Sequence, residues 1–327
     1  MGSKEAVSAA TRSKSTERAG APLTWRQRIE AAEFTRSSLI ALEYFPPPPD
    51  LEPFVTTYFT LRCDEREILD IQPAGLAILA VFLSGAGEMF IRDGKTWPSH
   101  RTNILTPLSA AAPIAVDGPW RAFGASLSPL GWAALTGGRS AAAEGNRLLP
   151  AGTFLDPAYA ELGEDMSRDW AEHGMDAPAM VARMSDLIRT RLRPVPPAHA
   201  QLVATVAEWL GEALSPRVER LQELAVYSPR QLQRLVDQYY GLPPKQLARK
   251  YRAIRAAALL ADGNLSDEEA AVVADQFYDQ SHMIREISLF AGRTPARLAG
   301  PETPMLSALL DLRNFRELKP RPASAAV

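Results

Sequence analysis

Apolar residues in the last third of the chain recur at helical intervals. Leu202, Val203, Val206, Trp209 and Leu210 share one side of a helix that the spacing ends near Leu214, and Val218, Leu221 and Leu224 outline a short second one. Between Ser228 and Gly241, Leu232, Leu235, Val236 and Tyr239 fall at i, i+3, i+4 and i+7, so they share a face. Ser228 supplies an N-cap hydroxyl and Pro229 the first helical position, a favoured way to open a helix. Arg230, Gln233 and Arg234 are left on the opposite face, near the N-terminal end. Pro243–Leu260 predicts a long helix with Leu247, Tyr251, Ile254 and Ala258 inward. The plan then repeats, with a short helix over Glu268–Ala274 and an amphipathic one over Asp279–Ala291. In the latter Met283, Ile284 and Ile287 are expected inward, and Gln280, His282 and Arg285 outward.

The first half has another period. Phe54–Leu61, Ala77–Leu83, Glu88–Arg92, Asn103–Leu105 and Ala122–Leu127 are short apolar or alternating segments separated by the turn clusters SGAG, RDGK and DGPW, the pattern of a small β-barrel or sandwich. Ahead of them, residues 1–20 lack an apolar period and read as a disordered tail. Trp25–Leu42 is expected to be helical, and Pro46–Pro49 forms a stiff extended spacer. After the strands, Thr153–Gly174 and Met180–Arg193 carry helical spacing, through Leu155, Leu162, Met166 and Trp170 and through Val181, Met184, Leu187 and Ile188, until Pro194–Pro197 break the chain. These helices either connect domains or carry signal and dimer contacts; an exposed stripe at Met184, Leu187 and Ile188 would favour self-association. The fold class is therefore multidomain α+β: an N-terminal small β-barrel or sandwich, a helical linker and a C-terminal all-α module.

Composition narrows the chemistry. A chain of 327 residues, 46% hydrophobic and 23% charged, suits about two globular domains, and no apolar run is long enough to span a membrane. The single cysteine, Cys63, excludes an intramolecular disulfide and fits a reducing, cytoplasmic setting. A metal site needs converging His and carboxylate ligands, yet only His100 lies in the β region; no base can be named for Cys63 as a nucleophile. Gly85–Gly87 reads as a hairpin turn, since neither a helix nor a phosphate-binding lysine follows. Tyr58, Phe59, Trp97, Trp120, Phe123 and Trp132 read as core, with a minority free to line an apolar pocket. No cofactor and no catalytic activity are expected. The net charge of −2 is unpromising for a nucleic-acid binder until it is divided by region. Residues 217–255 carry nine Lys/Arg and three Asp/Glu, whereas residues 256–298 carry three Arg and seven Asp/Glu. Lys245, Arg249, Lys250 and Arg252 are candidates for phosphate contact, or else a solvated helix face.

Several spaced motifs fall in order along this C-terminal stretch. They are S-x-x-x-L-x-R at Ser228, Leu232 and Arg234; G-x-x-P at Gly241–Pro244; R-x-x-x-A-x-x-L-L at Arg252, Ala256, Leu259 and Leu260; F-x-D-Q-S-H at Phe277–His282; and G-x-T-P at Gly292–Pro295. Together they resemble the DNA-binding module of AraC-type transcriptional regulators, two helix-turn-helix units joined by a long helix. LSPLGWAALTGG, from Leu127 to Gly138, is similar, more weakly, to the sensor-like N-terminal domain of one branch of that family. The resemblance implies a sequence-specific regulator. Arg230, Gln233 and Arg234 would read DNA from the first recognition helix, and Gln280, Ser281, His282 and Arg285 from the second, with Lys245 and Arg249 on the backbone. Arg and Gln suit guanine and adenine edges in the major groove. For Arg234, Gln280 and His282 the alternative is a structural role, through hydrogen bonds or packing. The partners implied are double-stranded DNA, RNA polymerase, a small-molecule effector and a second copy of the chain, with no membrane.

The expected organisation is a tail over 1–40, disordered or partly helical; a β-rich sensor or dimerisation domain over 41–150; a helical linker over 151–195; the double helix-turn-helix domain over 196–300; and a tail over 301–327. The chain departs from the family where each unit usually has a small helix residue and a turn glycine: Gln222 and Val226 stand there in the first unit, Val272 and Gln276 in the second. A β-branched Val226 would be strained at positive φ. Either the turns are rebuilt or one unit, the acidic second, docks differently. The rival reading is a degenerate module that binds a partner regulator and no longer binds DNA.

Overall fold

The computed structural model describes residues 34–261 and 266–298. The tail expected over 301–327 lies outside them, as does most of the one over 1–40.

One antiparallel sheet organises the N-terminal half. Its strands are β1 (Ile40–Phe45), β2 (Val55–Cys63), β3 (Glu67–Gln72), β4 (Ala77–Phe90), β5 (Thr96–Pro98), β6 (Thr102–Leu105), β7 (Ala112–Leu127) and β8 (Leu148–Pro150). The path runs β1-β2-β7-β4-β6-β8, with β3 added to β7 and β5 to β4. The expected β-rich domain is present, but several elements differ. Ala77–Leu83 and Glu88–Phe90 are not two strands joined by a turn; they belong to the single 14-residue β4, which stops short of Ile91 and Arg92. SGAG is a bulge within it, where the register to β7 shifts between Phe82 and Ala86 and Gly85 takes a φ of +82° open to glycine without steric cost. DGPW is likewise interior to the 16-residue β7, with Asp117 paired to both Glu67 and Ala86. Of the helix expected over Trp25–Leu42, residues 25–33 lie outside the described residues, and the rest forms a 3-10 turn at Ser37–Leu39 and then β1, whose residues pair with β2 from Ile40↔Cys63 to Phe45↔Tyr58.

Strand alternation sends β4 and β7 side chains to two different cores. Leu79, Val81, Phe123 and Ala125 face helices packed on the sheet, and Phe82, Trp120 and Ala122 face the other way. The helices are α1 (Pro129–Thr136) and α2 (Ala141–Glu144), and beyond β8 α3 (Ala151–Phe154), α4 (Ala158–His173) and α5 (Ala177–Arg191). Met166 of α4 and Met184 and Ile188 of α5 are fully buried against the sheet, together with Tyr58 and Phe123, whose rings stack at 5.9 Å. The stripe that would have joined two copies is therefore spent inside one chain. Tyr58 donates to or accepts from Ser185 Oγ at 2.8 Å, and burial pushes its hydroxyl up to about 12.

The C-terminal half is helical: α6 (Pro197–Glu212), α7 (Val218–Leu224), α8 (Pro229–Tyr240), α9 (Pro244–Ala261), α10 (Asp267–Ala274) and α11 (Gln280–Ala291). Its core gathers Trp209, Leu210, Leu235, Val236, Leu247, Ile254, Ile287 and Phe290, and Trp209 donates its indole N–H to the Arg217 carbonyl at 2.7 Å. Ile284, expected inward, lies at the solvent edge, and Glu286 takes an inward position instead. The buried face of α11 centres on Ile287 and Phe290, which places Ile284 about 100° round from Met283. Among the described residues only Asn146 combines a side chain with positive φ, so Val226 and Gln276 sit in turns that do not use the left-handed region. Val226 is 95% exposed there.

Candidate nucleic-acid interface

The first candidate surface is built by the capping of α8. Ser228 Oγ accepts the Gln231 N–H, and the Gln231 side chain returns to the Ser228 N–H, a reciprocal capping box that satisfies two donors of the first turn. At the other end Gly241, at φ +78°, lets its N–H reach the Asp237 carbonyl. Between these stops Leu232, Leu235, Val236 and Tyr239 are buried, so Arg230, Gln233 and Arg234 must point outward. All three are exposed and have no hydrogen-bond or ion-pair partner among the described residues. They line one shallow cleft of about 740 Å³ with Asp237 and Pro243. Desolvation raises the Asp237 carboxyl above its ordinary value.

The second surface lies at α11. The Asp279 carboxylate accepts the His282 N–H at 2.7 Å and caps the helix. Gln280, Ser281 and Arg285 are exposed and unpartnered among the described residues. His282 is different: half-buried, its ring lies edge-on to Phe277 at 6.2 Å and its Nε2 is 3.2 Å from Glu286 Oε1.

A cleft of about 470 Å³ joins α9 to this helix, lined by Ser215, Pro216, Lys245, Arg249, Arg252 and His282, among others. Glu286, almost wholly buried, organises its basic groups: Arg249 Nε donates to its Oε1 at 2.5 Å and Arg252 Nη2 to its Oε2 at 2.6 Å. Lys245 is exposed without a partner among the described residues. Two of the sequence candidates for phosphate contact are corrected. Lys250 is 1% exposed, beside the Tyr251 ring, and cannot reach a ligand outside the module. Arg252 is mostly buried, tied to Glu286 and stacked 4.8 Å from the Phe277 ring centre. Burial of a long cation with an acceptor and an aromatic face is a packing role.

Residues 222–300 match a family described as a helix-turn-helix domain. The C-terminal region carries an AraC-type helix-turn-helix domain. No relative among curated proteins matches the chain. Among solved structures, ToxT from Vibrio cholerae is similar at 10% identity with a TM-score of 0.45, over 83% of this chain and 97% of that one. The AraC-like transcriptional activator CuxR is similar at 11% identity with a TM-score of 0.30, over 67% of this chain and 86% of that one. The assignment rests on the matched residues and the helices they form.

Within this helix-turn-helix domain the structure brings the sequence candidates into two places, Arg230, Gln233 and Arg234 in one cleft and Lys245, Arg249 and His282 in the other. Gln280, Ser281 and Arg285 line neither. Sequence reasoning missed Glu286, which no motif marks, and Arg293, the variable position of G-x-T-P. The Arg293 guanidinium forms a buried ion pair with Asp70 of β3, a partner 223 positions away that no local pattern could announce.

Proposed function

We propose that the chain is a sequence-specific DNA-binding transcription regulator in which α8 and α11 act as two recognition helices. They would enter successive major-groove segments about 34 Å apart on one side of the duplex. The observation that carries this reading is the row of Arg230, Gln233 and Arg234. Three donor-bearing side chains stand exposed and, among the described residues, unpartnered at the N-terminal end of a well-capped helix. Gln280, Ser281 and Arg285 stand in the matching place on α11. Lys245 and Arg249 would contact the backbone between them.

We extend the proposal to an effector. The face of the sheet away from the helices encloses a cavity of about 130 Å³, lined by Phe59, Phe82, Met89, Leu105, Ile114 and Trp120 among others. Among the described residues Glu88 is the one charged group in the lining, so the cavity suits an apolar molecule without negative charge. The buried Trp120 Nε1 has no acceptor among the described residues, and a ligand oxygen would satisfy it.

A specific observation favours the rival reading of a protein-binding module. Val226 and Tyr278, 95% and 93% exposed, precede the two candidate recognition helices. One experiment separates the readings: selection of bound duplexes from a random-sequence pool by the full chain and by residues 196–300, at two salt concentrations. Enrichment of one site, with affinity falling steeply as salt rises, is expected. Weak unselective binding by both proteins would transfer the function to a protein partner.

A further inference from the structure

The two units of the helix-turn-helix domain are anchored to the β-domain at their C-terminal ends, on separate parts of it. The end of α8 meets the α1–α2 loop, where Gln238 Nε2 donates to the Gly138 carbonyl at 3.3 Å and Gly241 lies against Ala141. The end of α11 meets β3 and the turn after it. The Ala74 N–H donates to the Phe290 carbonyl at 2.8 Å, and the Ala111 N–H to the Leu289 carbonyl at 2.9 Å. Gly292 is so close to Ile71 that a Cβ would come within 2.3 Å of its side chain. Next to it, Arg293 and Asp70 form their ion pair with side chains 2% and 0% exposed, and the guanidinium lies 3.9 Å from the Phe34 ring centre.

The segment that receives α11 also walls the cavity. Gln72, Gly75 and Leu76 line it, one to six positions beyond Asp70 and Ile71, whereas no residue of the α1–α2 loop does. The Leu108 N–H donates to the Gly75 carbonyl at 3.1 Å and binds the loop of Ala111 into the same wall. An empty cavity leaves this wall without packing partners on one side, and an occupant supplies them.

We propose that the Asp70–Leu76 segment couples the cavity to the second unit alone: an occupant fixes the seat of α11 and leaves that of α8 unchanged. This rests on the reading that the cavity takes an apolar effector. An occupant that prefers the seated wall stabilises docking, and by reciprocity docking strengthens its binding by the same factor. The effector thereby sets the second recognition helix relative to a first one that stays fixed.

The test needs no DNA, so it stands apart from the operator question. Amide hydrogen exchange is followed in the full chain at Ala74 and Ala111, whose N–H groups make the inter-domain bonds, and at Gly241 as the control. Ala122→Leu and Ala80→Leu fill the cavity from two strands, and indole serves as a neutral apolar probe. Filling the cavity is expected to slow exchange about tenfold at Ala74 and Ala111 with no change at Gly241. Arg293→Met, with Asp70→Asn as a second variant should that chain not fold, is expected to speed both amides and to weaken indole binding equally. Folded filling variants with unchanged exchange at Ala74 and Ala111, or with Gly241 slowed to the same extent, would overturn the coupling. Absence of indole binding, while the filling variants slow the two amides, would overturn the effector reading and leave the coupling standing.

Discussion

Glu286 and Arg230 show how differently two polar residues of one domain are used. Glu286 accepts from Arg249 and Arg252 and lies beside His282, a buried carboxylate among three basic groups. Removing one partner of a buried ion pair costs far more than the pair contributes, because the remaining charges lose their compensation. Glu286→Ala is expected to lower unfolding stability by about 3 kcal/mol, read from the urea midpoint; an unchanged midpoint would show the cluster to be ornamental. Arg230, with no partner among the described residues, should leave that midpoint where it is. Arg230→Ala is instead expected to weaken binding to the selected duplex by about 1–3 kcal/mol and relax specificity at one position. A loss of equal size on every sequence would make Arg230 a phosphate contact.

At the scale of elements, the ends of α8 and α11 carry the weight. The N-cap at Ser228 was readable from S-P, since a hydroxyl before proline is a local signal, and in the fold Gln231 completes the capping box. Ser228→Ala should cost about 1 kcal/mol of stability, seen in thermal or chemical unfolding. The two C-capping glycines look alike in sequence and differ in the fold. Both hold a φ near +80°, yet a Cβ at Gly241 would approach Ala141 no nearer than 3.4 Å, whereas one at Gly292 would collide with Ile71. Gly241→Ala should therefore cost only the left-handed penalty, about 1–2 kcal/mol. Gly292→Ala should cost more and should also speed exchange at the Ala74 amide. Equal losses would mean that Ile71 yields freely.

The whole molecule is nearly neutral, but its charge is sorted along the chain. The first unit and the long helix hold the excess of Lys and Arg, and the second unit holds the excess of Asp and Glu. Phosphate attraction should therefore be concentrated around α8 and α9, with α11 depending on groove contacts and on its seat against β3. Lys245→Ala is expected to weaken binding uniformly across sequences and to reduce the slope of log affinity against log salt by about 1. An unchanged slope would place Lys245 on a solvated face away from the duplex.

The sequence by itself determined what local periodicity and capping can express: the helices of the C-terminal half, their outward Arg and Gln side chains and a strand-rich first half. It failed where pairing partners are remote. A glycine run reads as a turn until a neighbouring strand holds it in register, which is why SGAG suggests a hairpin in sequence and is a bulge in β4. β3 escaped because Glu-Ile-Leu-Asp-Ile-Gln does not alternate, and its buried Asp70 is held by Arg293 and by the Ile71 N–H, partners that no apolar period announces. The Met184–Ile188 stripe showed its apolarity but not its cover, since exposure is decided by which surface packs against it. In the same way Lys250 and Arg252 read as phosphate contacts or a solvated helix face, and the fold buries both. Tertiary structure alone decided the seats of α8 and α11 on the β-domain, because contacts between residues far apart in sequence leave no period along the chain.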